Sequence, residues 1–153
     1  MPASPQFVHL HLHSEFSLID GTVRIKPLMK ATAEHGMSAV TITDQSNLFA
    51  LVKHHNTAIG AGIKPLFGAD LWLANEEAST NPFKIILLAK NETGYRSLTR
   101  IVSRAYLEGQ NHGVPIIEKH WLKDESSDLI ALSGAREGDI GNALLSGKKD
   151  LAE

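Results

Sequence analysis

Three histidines on alternate residues, in His9-Leu10-His11-Leu12-His13-Ser14, form the densest group of chemically capable side chains in this sequence. On a strand, alternate side chains share one face, and two imidazoles at i and i+2 can close on one divalent ion. The same triplet equally suits surface histidines or polar residues on a half-buried edge. Asp20 follows in Leu18-Ile19-Asp20-Gly21, where its carboxylate can complete or bridge a metal site, or the pair can be a plain Asp-Gly turn. Asp44 closes Thr41-Ile42-Thr43-Asp44 and is either a further ligand or the N-cap of the helix that follows. Asp70, in Phe67-Gly68-Ala69-Asp70, is a charge inside an otherwise apolar run, and such a charge wants a partner. Histidines and carboxylates at successive strand ends describe a site for a hard or borderline divalent ion acting on a phosphate ester. The metal would lower the pKa of bound water and stabilise charge on the phosphoryl oxygens. His54 and His55, in a helical pattern, and His112 and His120, in a polar stretch, read as solvated or locally bonded.

The elements that must carry these side chains alternate between short β-branched apolar runs and longer helical patterns, the signature of βαβ units and a parallel sheet. Strands are expected at Phe7–His11, Ala39–Thr43, Lys64–Trp72, Lys84–Ala89 and Asp128–Ser133. Helices are expected at Ile25–His35, stopped by Gly36, and at Ser46–Ile59, opened by a capping serine and closed by Gly60 and Gly62. Thr93–Glu108 shows Leu98, Ile101, Val102 and Ala105 at helical spacing, and a short helix is expected at Gly138–Leu145. Gln110–Ser127 reads as a surface excursion with a short helix around Glu118–Leu122. Five strands with right-handed crossovers suit either an open doubly wound sheet or the first part of a barrel. Lys149–Glu153 reads as the opening of another helix, so the chain is expected to be a fragment.

Composition narrows the function classes. With 153 residues and 42% hydrophobic content, the chain can fill one globular core. Fifteen basic against 17 acidic residues leave a net charge of −2, which gives no footprint for gripping a nucleic-acid backbone, so any DNA contact must come from elsewhere. The absence of cysteine excludes disulfides and thiolate ligands and fits a reducing cytosol. No stretch approaches the roughly 20 apolar residues of a membrane span, so a cytoplasmic protein without membrane contact is expected.

The run Phe7-Val8-His9-Leu10-His11-Leu12-His13-Ser14-Glu15-Phe16-Ser17-Leu18-Ile19-Asp20-Gly21 resembles the opening motif of the PHP domain, the polymerase and histidinol phosphatase family, in the form found at the start of the alpha subunit of bacterial DNA polymerase III. Thr43-Asp44-Gln45-Ser46-Asn47-Leu48, Gly60-Ala61-Gly62-Ile63-Lys64-Pro65, Leu87-Leu88-Ala89-Lys90-Asn91 with Gly94-Tyr95, and Leu132-Ser133-Gly134 are similar to the same form. The resemblance implies an α/β fold: residues 1–153 would be the N-terminal part of a distorted (β/α)7 PHP barrel, with parallel strands, flanking helices and up to three metal ions in its mouth. It implies that His11, His13, Asp20 and Asp44 match family metal ligands. Elsewhere this sequence departs from the pattern: Gln45 stands for a customary His, Asp70 for Glu, Lys84 for His and Ala135 for Cys.

Each departure weakens a metal site. An amide coordinates transition metals poorly, alanine supplies no ligand, and aspartate reaches one methylene less far than glutamate. The Lys84 ammonium repels divalent ions and can pair with Asp44 or Asp70, neutralising carboxylates that a metal would have neutralised. The resemblance therefore implies an architectural domain of a replicative DNA-directed DNA polymerase, supporting the polymerase core and docking the proofreading exonuclease subunit. The complete enzyme would use Mg²⁺ and meet DNA through domains beyond these residues, none of which can be assigned to polymerisation. The degenerate site would hold no ion, or a residual Mn²⁺, Zn²⁺ or Fe²⁺ on His11 and His13. The rival readings are an active metal phosphoesterase, acting as exonuclease or pyrophosphatase, and a free-standing PHP phosphatase. A truncated barrel would expose an edge and apolar surface, so self-association is expected.

Overall fold

The computed structural model describes residues 7–75 and 81–152. Two compact units divide the chain, Met1–Ala69 and Asp70–Glu153.

In the first unit, β1 (Ala39–Ile42) is buried at all four residues and pairs in parallel with the first half of β2 (Lys64–Leu73), from Ala39 opposite Lys64 to Ile42 opposite Phe67. α1 (Ile25–Glu34) turns Ile25, Met29 and Thr32 inward at i, i+4 and i+7, and α2 (Leu51–Gly60) turns in Leu51, His54 and Ala58. Val40 and Ile42 join Ile25, Met29, Ala50, Ala58 and Ile63 in one core, with Leu12, Phe16 and Leu28 against it. Alternation along β1 sends Thr41 and Thr43 to the opposite face. α1 ends as expected, with Gly36 at φ +67, a conformation that favours glycine.

Two expectations are corrected in this unit. Phe7–His11 is not a regular strand: Thr41 N–H donates to His9 O (3.1 Å), and just beyond the segment Thr43 N–H donates to Leu12 O (2.9 Å) and Leu12 N–H to Thr43 Oγ1 (3.0 Å), without a continuous ladder. α2 starts at Leu51 rather than Ser46, and Ser46, at φ +54, caps nothing. Asn47 holds this stretch in a turn instead. Its Oδ1 accepts from Phe49 N–H (3.1 Å), and its Nδ2 donates to Phe16 O (3.1 Å) and Gln45 O (3.0 Å). Those side-chain bonds give the backbone an alternative to helix.

The second unit contains the rest of β2 with β3 (Phe83–Ala89), β4 (Gln110–Asn111), β5 (Val114–Ile117) and β6 (Leu129–Leu132), in the order β4-β5-β2-β3-β6. α3 (Glu92–Leu107) buries the Leu98, Ile101, Val102 and Ala105 stripe that its spacing announced, and Asn91 caps it by accepting from Gly94 N–H (3.0 Å). α4 (Lys119–Glu125) and α5 (Asp139–Leu145) follow, with short 3-10 turns at Ser126–Asp128, Ala135–Glu137 and Lys149–Leu151. Lys149–Leu151 is thus a turn rather than the opening of an α-helix.

The α/β class stands, but the sheet is mixed. β2 and β5 are parallel, whereas β4–β5 and β3–β6 are antiparallel. The expected surface excursion Gln110–Ser127 contains the β4–β5 hairpin, turned by His112 at φ +50 and Gly113 at φ +82. Two successive positive-φ residues match the twist of a hairpin, and the short Asn111-His112-Gly113-Val114 signal was lost among polar neighbours. Among the described residues, no helix is long and apolar enough to cross a membrane.

Candidate metal-binding loop

The segment from His9 to Gly21 follows the path of β1 and then folds back on itself. Of its three histidines, His11 and His13 come together, ring centroids 5.1 Å apart and edge to face. His9 instead packs edge-on against Phe7, at 4.7 Å. His13 Nδ1 lies 3.0 Å from both carboxylate oxygens of Asp20, whose side chain is half exposed. Asp20 also sits in the turn read as its alternative: Asp20 N–H (3.2 Å) and Gly21 N–H (2.7 Å) both donate to Ser17 O. Gly21 is required there, because a Cβ would fall 1.8 Å from Ser14 O.

Asp44 is buried and committed to this loop. Its Oδ1 accepts from Ser14 N–H (2.6 Å) and Ser17 Oγ–H (2.9 Å), and its Oδ2 accepts from Ser14 Oγ–H (2.7 Å). Ser17 Oγ in turn accepts from Gln45 N–H (2.9 Å), so the Gln45 backbone belongs to the same network, while its side-chain Nε2 donates to Ser46 Oγ (3.3 Å). Asp44 caps no helix. Ser14 and Ser17, both buried, are functional neighbours that sequence reasoning missed; their spacing, one and four residues after His13, was the available signal. On the outside of the loop, Lys53 donates to Glu15 (2.7 Å), holding that carboxyl below its usual range, and lies 5.4 Å over the Phe16 ring.

In the second unit, Asp70 is fully buried and Lys84 Nζ lies 3.9 Å from its Oδ2. The same ammonium is 3.2 Å from Glu137 Oε2 and 5.2 Å over the Trp72 ring. Lys84 thus sits between two carboxylates and an aromatic face, a set of attractions suited to a desolvated cation. Glu137 and Trp72 carried no sequence signal for this role. Ala135 stands at φ +50 at the start of its 3-10 turn, a conformation costly for any residue with a Cβ.

His54 departs from the expected solvated or locally bonded histidine of a helix face. It is fully buried, bonded through Nε2 to Leu66 O (3.2 Å) and edge-on to Phe67 (5.8 Å). Burial pushes its imidazole below the usual range, against the opposing pull of the Leu66 and Val40 carbonyls. His55 stacks on Phe67, and His120 meets Trp121 edge-on.

For a divalent ion, His11 and His13 are the two imidazoles of the first unit that lie together and could serve as ligands. Two imidazoles supply half of a tetrahedral shell. Asp20 faces His13, and Asp44 accepts from Ser14 and Ser17 while its oxygens keep a further lone pair, so either carboxylate could join the histidines at an ion or orient them. An ion bound here would act as a Lewis acid toward a phosphate ester.

A PHP domain family model matches residues 9–153. The chain is 56% identical over 147 residues to the DNA polymerase III subunit alpha of Pseudomonas aeruginosa, covering 96% of this chain and 12% of that protein. It is 43% identical over 151 residues to the subunit of the same name from Escherichia coli K12, covering 99% of this chain and 13% of that one. The chain therefore spans about an eighth of the length of these curated relatives. Among solved structures, an amidohydrolase from Chromobacterium violaceum, with bound sulfate and no metal, superposes with a TM-score of 0.51 at 18% identity over 65% of this chain and 33% of that one. A protein described as a metal-dependent phosphoesterase from Bifidobacterium adolescentis gives 0.51 at 15% identity over 67% and 34%. At those identities the likeness concerns the fold alone. Because the family model extends from the first histidine of the His-x-His loop to the last residue, this chain belongs to the PHP domain family.

Proposed function

We propose that this chain is the N-terminal PHP domain of the alpha subunit of a bacterial replicative DNA polymerase, with an architectural local role. The observation that carries this reading is the 56% identity to an alpha subunit over 96% of the chain. In the complete, cytoplasmic subunit, DNA-directed DNA synthesis with Mg²⁺ would be the work of other domains, and DNA would be met through them. The near-neutral charge of this chain suits that division. Its own task would be to form the first part of the PHP barrel, support the polymerase core and dock the proofreading exonuclease subunit. The metal site would be a remnant, with His11 and His13 retained. Lys84, tied to Asp70 and Glu137, supports the view that an internal ammonium has taken over charge compensation.

A second reading, a working phosphoesterase, draws on the His11–His13 pair and its Asp20 partner. One experiment separates the two. The chain replaces the matching segment of the Pseudomonas aeruginosa alpha subunit; primer extension and exonuclease-subunit binding are measured, alongside bound Mn²⁺, Zn²⁺ and Fe²⁺ and hydrolysis of phosphodiester and pyrophosphate. Extension and exonuclease binding that survive the swap and fail on deletion of the segment, with no hydrolysis, are expected. Near-stoichiometric metal and hydrolysis abolished by His13→Ala would favour the phosphoesterase instead.

A further inference from the structure

We propose that α2 carries a second apolar face, built from Val52 and Ile59 with Phe49 at its head, on which an uncharged apolar element of the alpha subunit's own polypeptide docks, from outside these 153 residues. The inference rests on the alpha-subunit reading and deepens it by naming one surface through which this domain supports the rest of the subunit.

One face of α2 is already spent, with Leu51, His54 and Ala58 buried in the first unit. Val52 and Ile59 stand two helical turns apart, so they lie one above the other on a different face. They are 75% and 58% exposed, and Phe49, in the turn that leads into the helix, is 72% exposed. Between them, His55 Nδ1 and Asn56 Oδ1 lie 3.2 Å apart, and the His55 ring stacks on Phe67, so these polar side chains are engaged locally. Lys53, the charged residue of the helix, is held by Glu15 Oε1 (2.7 Å). A helix that is apolar on more than one face is ordinarily covered on more than one face. Charge and length point to the cover. The face contains no Asp, Glu, Lys or Arg, so it offers an approaching partner nothing to steer or orient it. Such a composition suits a permanent contact, which resembles a core cut in two, better than a reversible one. The match to the Pseudomonas aeruginosa alpha subunit occupies 12% of that protein, so about seven-eighths of such a subunit lies outside the matched segment. A cover from the same polypeptide stands at high effective concentration from the moment the subunit folds. A separable partner would leave the face bare each time it departed, with the aggregation hazard of exposed apolar surface.

Thiol labelling of a complete subunit tests this. In the Pseudomonas aeruginosa alpha subunit with this chain in place of its own segment, Val52→Cys or Ile59→Cys adds a small thiol and no charge. The dilute subunit, without the exonuclease subunit, is treated with a maleimide, and the labelled peptide is followed by mass spectrometry. The same subunit unfolded in guanidinium gives the rate of full reactivity. At both positions labelling is expected to be slower than in the unfolded subunit by roughly tenfold or more. Smaller protection under all conditions would make the face ordinary surface and overturn the proposal. Protection that arises only on adding the exonuclease subunit would assign the face to that partner, and protection that arises only at high subunit concentration would assign it to a second copy; either result overturns the proposal as well. Primer extension keeps the two readings apart. A swapped subunit that extends primers yet labels freely sinks this inference alone, whereas a swapped subunit without either cysteine that fails to extend primers sinks the alpha-subunit reading beneath it.

Discussion

His54 has the surroundings of a core residue rather than a ligand: buried between α2 and the β1–β2 pair, it donates to Leu66 O and meets the edge of Phe67. Its folded pKa is lowered because burial disfavours imidazolium more than the neighbouring carbonyls favour it. In the unfolded chain the ring takes up its proton near the ordinary value of about 6.5. Between that value and the lower folded one, the unfolded state binds more protons, so stability is full above the window and falls as pH drops through it, by at most about 1.4 kcal/mol per pH unit. The melting temperature is therefore expected to fall between pH 7.5 and 5.5, and His54→Leu should flatten that dependence. A wild-type profile that is level across this range would show that the ring is not held neutral by burial.

At the scale of elements, the His9–Gly21 loop is fastened by hydrogen bonds rather than by apolar packing at its tip, where Leu18 and Ile19 are exposed. Removing the Asp44 carboxylate orphans Ser14 N–H, Ser14 Oγ–H and Ser17 Oγ–H together. Each buried unsatisfied donor costs about 1–3 kcal/mol, although a hydroxyl can turn to another acceptor. Asp44→Ala is thus expected to lose about 3 kcal/mol in urea unfolding, Ser17→Ala about 1, and Asp44→Asn an intermediate amount because one carbonyl oxygen remains. An Asp44→Ala protein within about 1 kcal/mol of wild type would mean that the clamp is dispensable. A contrasting brace joins α3 to α4, where Arg100 grips both oxygens of Glu125 (2.9 and 2.6 Å) and, with Ser97, lowers that carboxyl to about 2. Stability from this pair is present above the ordinary glutamate range and lost as pH falls toward the folded value, and solvent screening keeps it small.

For the whole molecule, the relevant quantity is apolar surface left in solvent. In the first unit Phe49 lies exposed just before α2 and Val52 and Ile59 on it, and in the second Ile140, Leu144, Leu145 and Leu151 are exposed on and after α5. Where such side chains join into a contiguous apolar patch, contact with further protein is expected. On the architectural role proposed above, such faces would be covered. Isolated, the 153-residue chain is expected to self-associate with rising concentration in sedimentation velocity, and Leu145→Glu should weaken that association. A concentration-independent monomer would argue that these residues are ordinary surface.

Local pattern was enough for much of this protein. The α3 stripe and its stop, and the strands β1, β2 and β3, all follow from periodicity and side-chain type, which need only neighbours in sequence. The turn at His112-Gly113 was legible in principle but too short to stand out. Tertiary structure decided what depends on distant partners. Asp44 read as a ligand or a helix cap; the hydrogen bonds that tie it to Ser14 and Ser17, some thirty residues earlier, exist only in the folded chain. His54 was one polar residue on a helix until β1 and β2 closed around it. The antiparallel run of β6 against β3 depended on the path of the chain between them, which no propensity encodes. In each case the deciding free energy, desolvation or a long-range hydrogen bond, comes into being only when residues far apart in the chain are brought into contact.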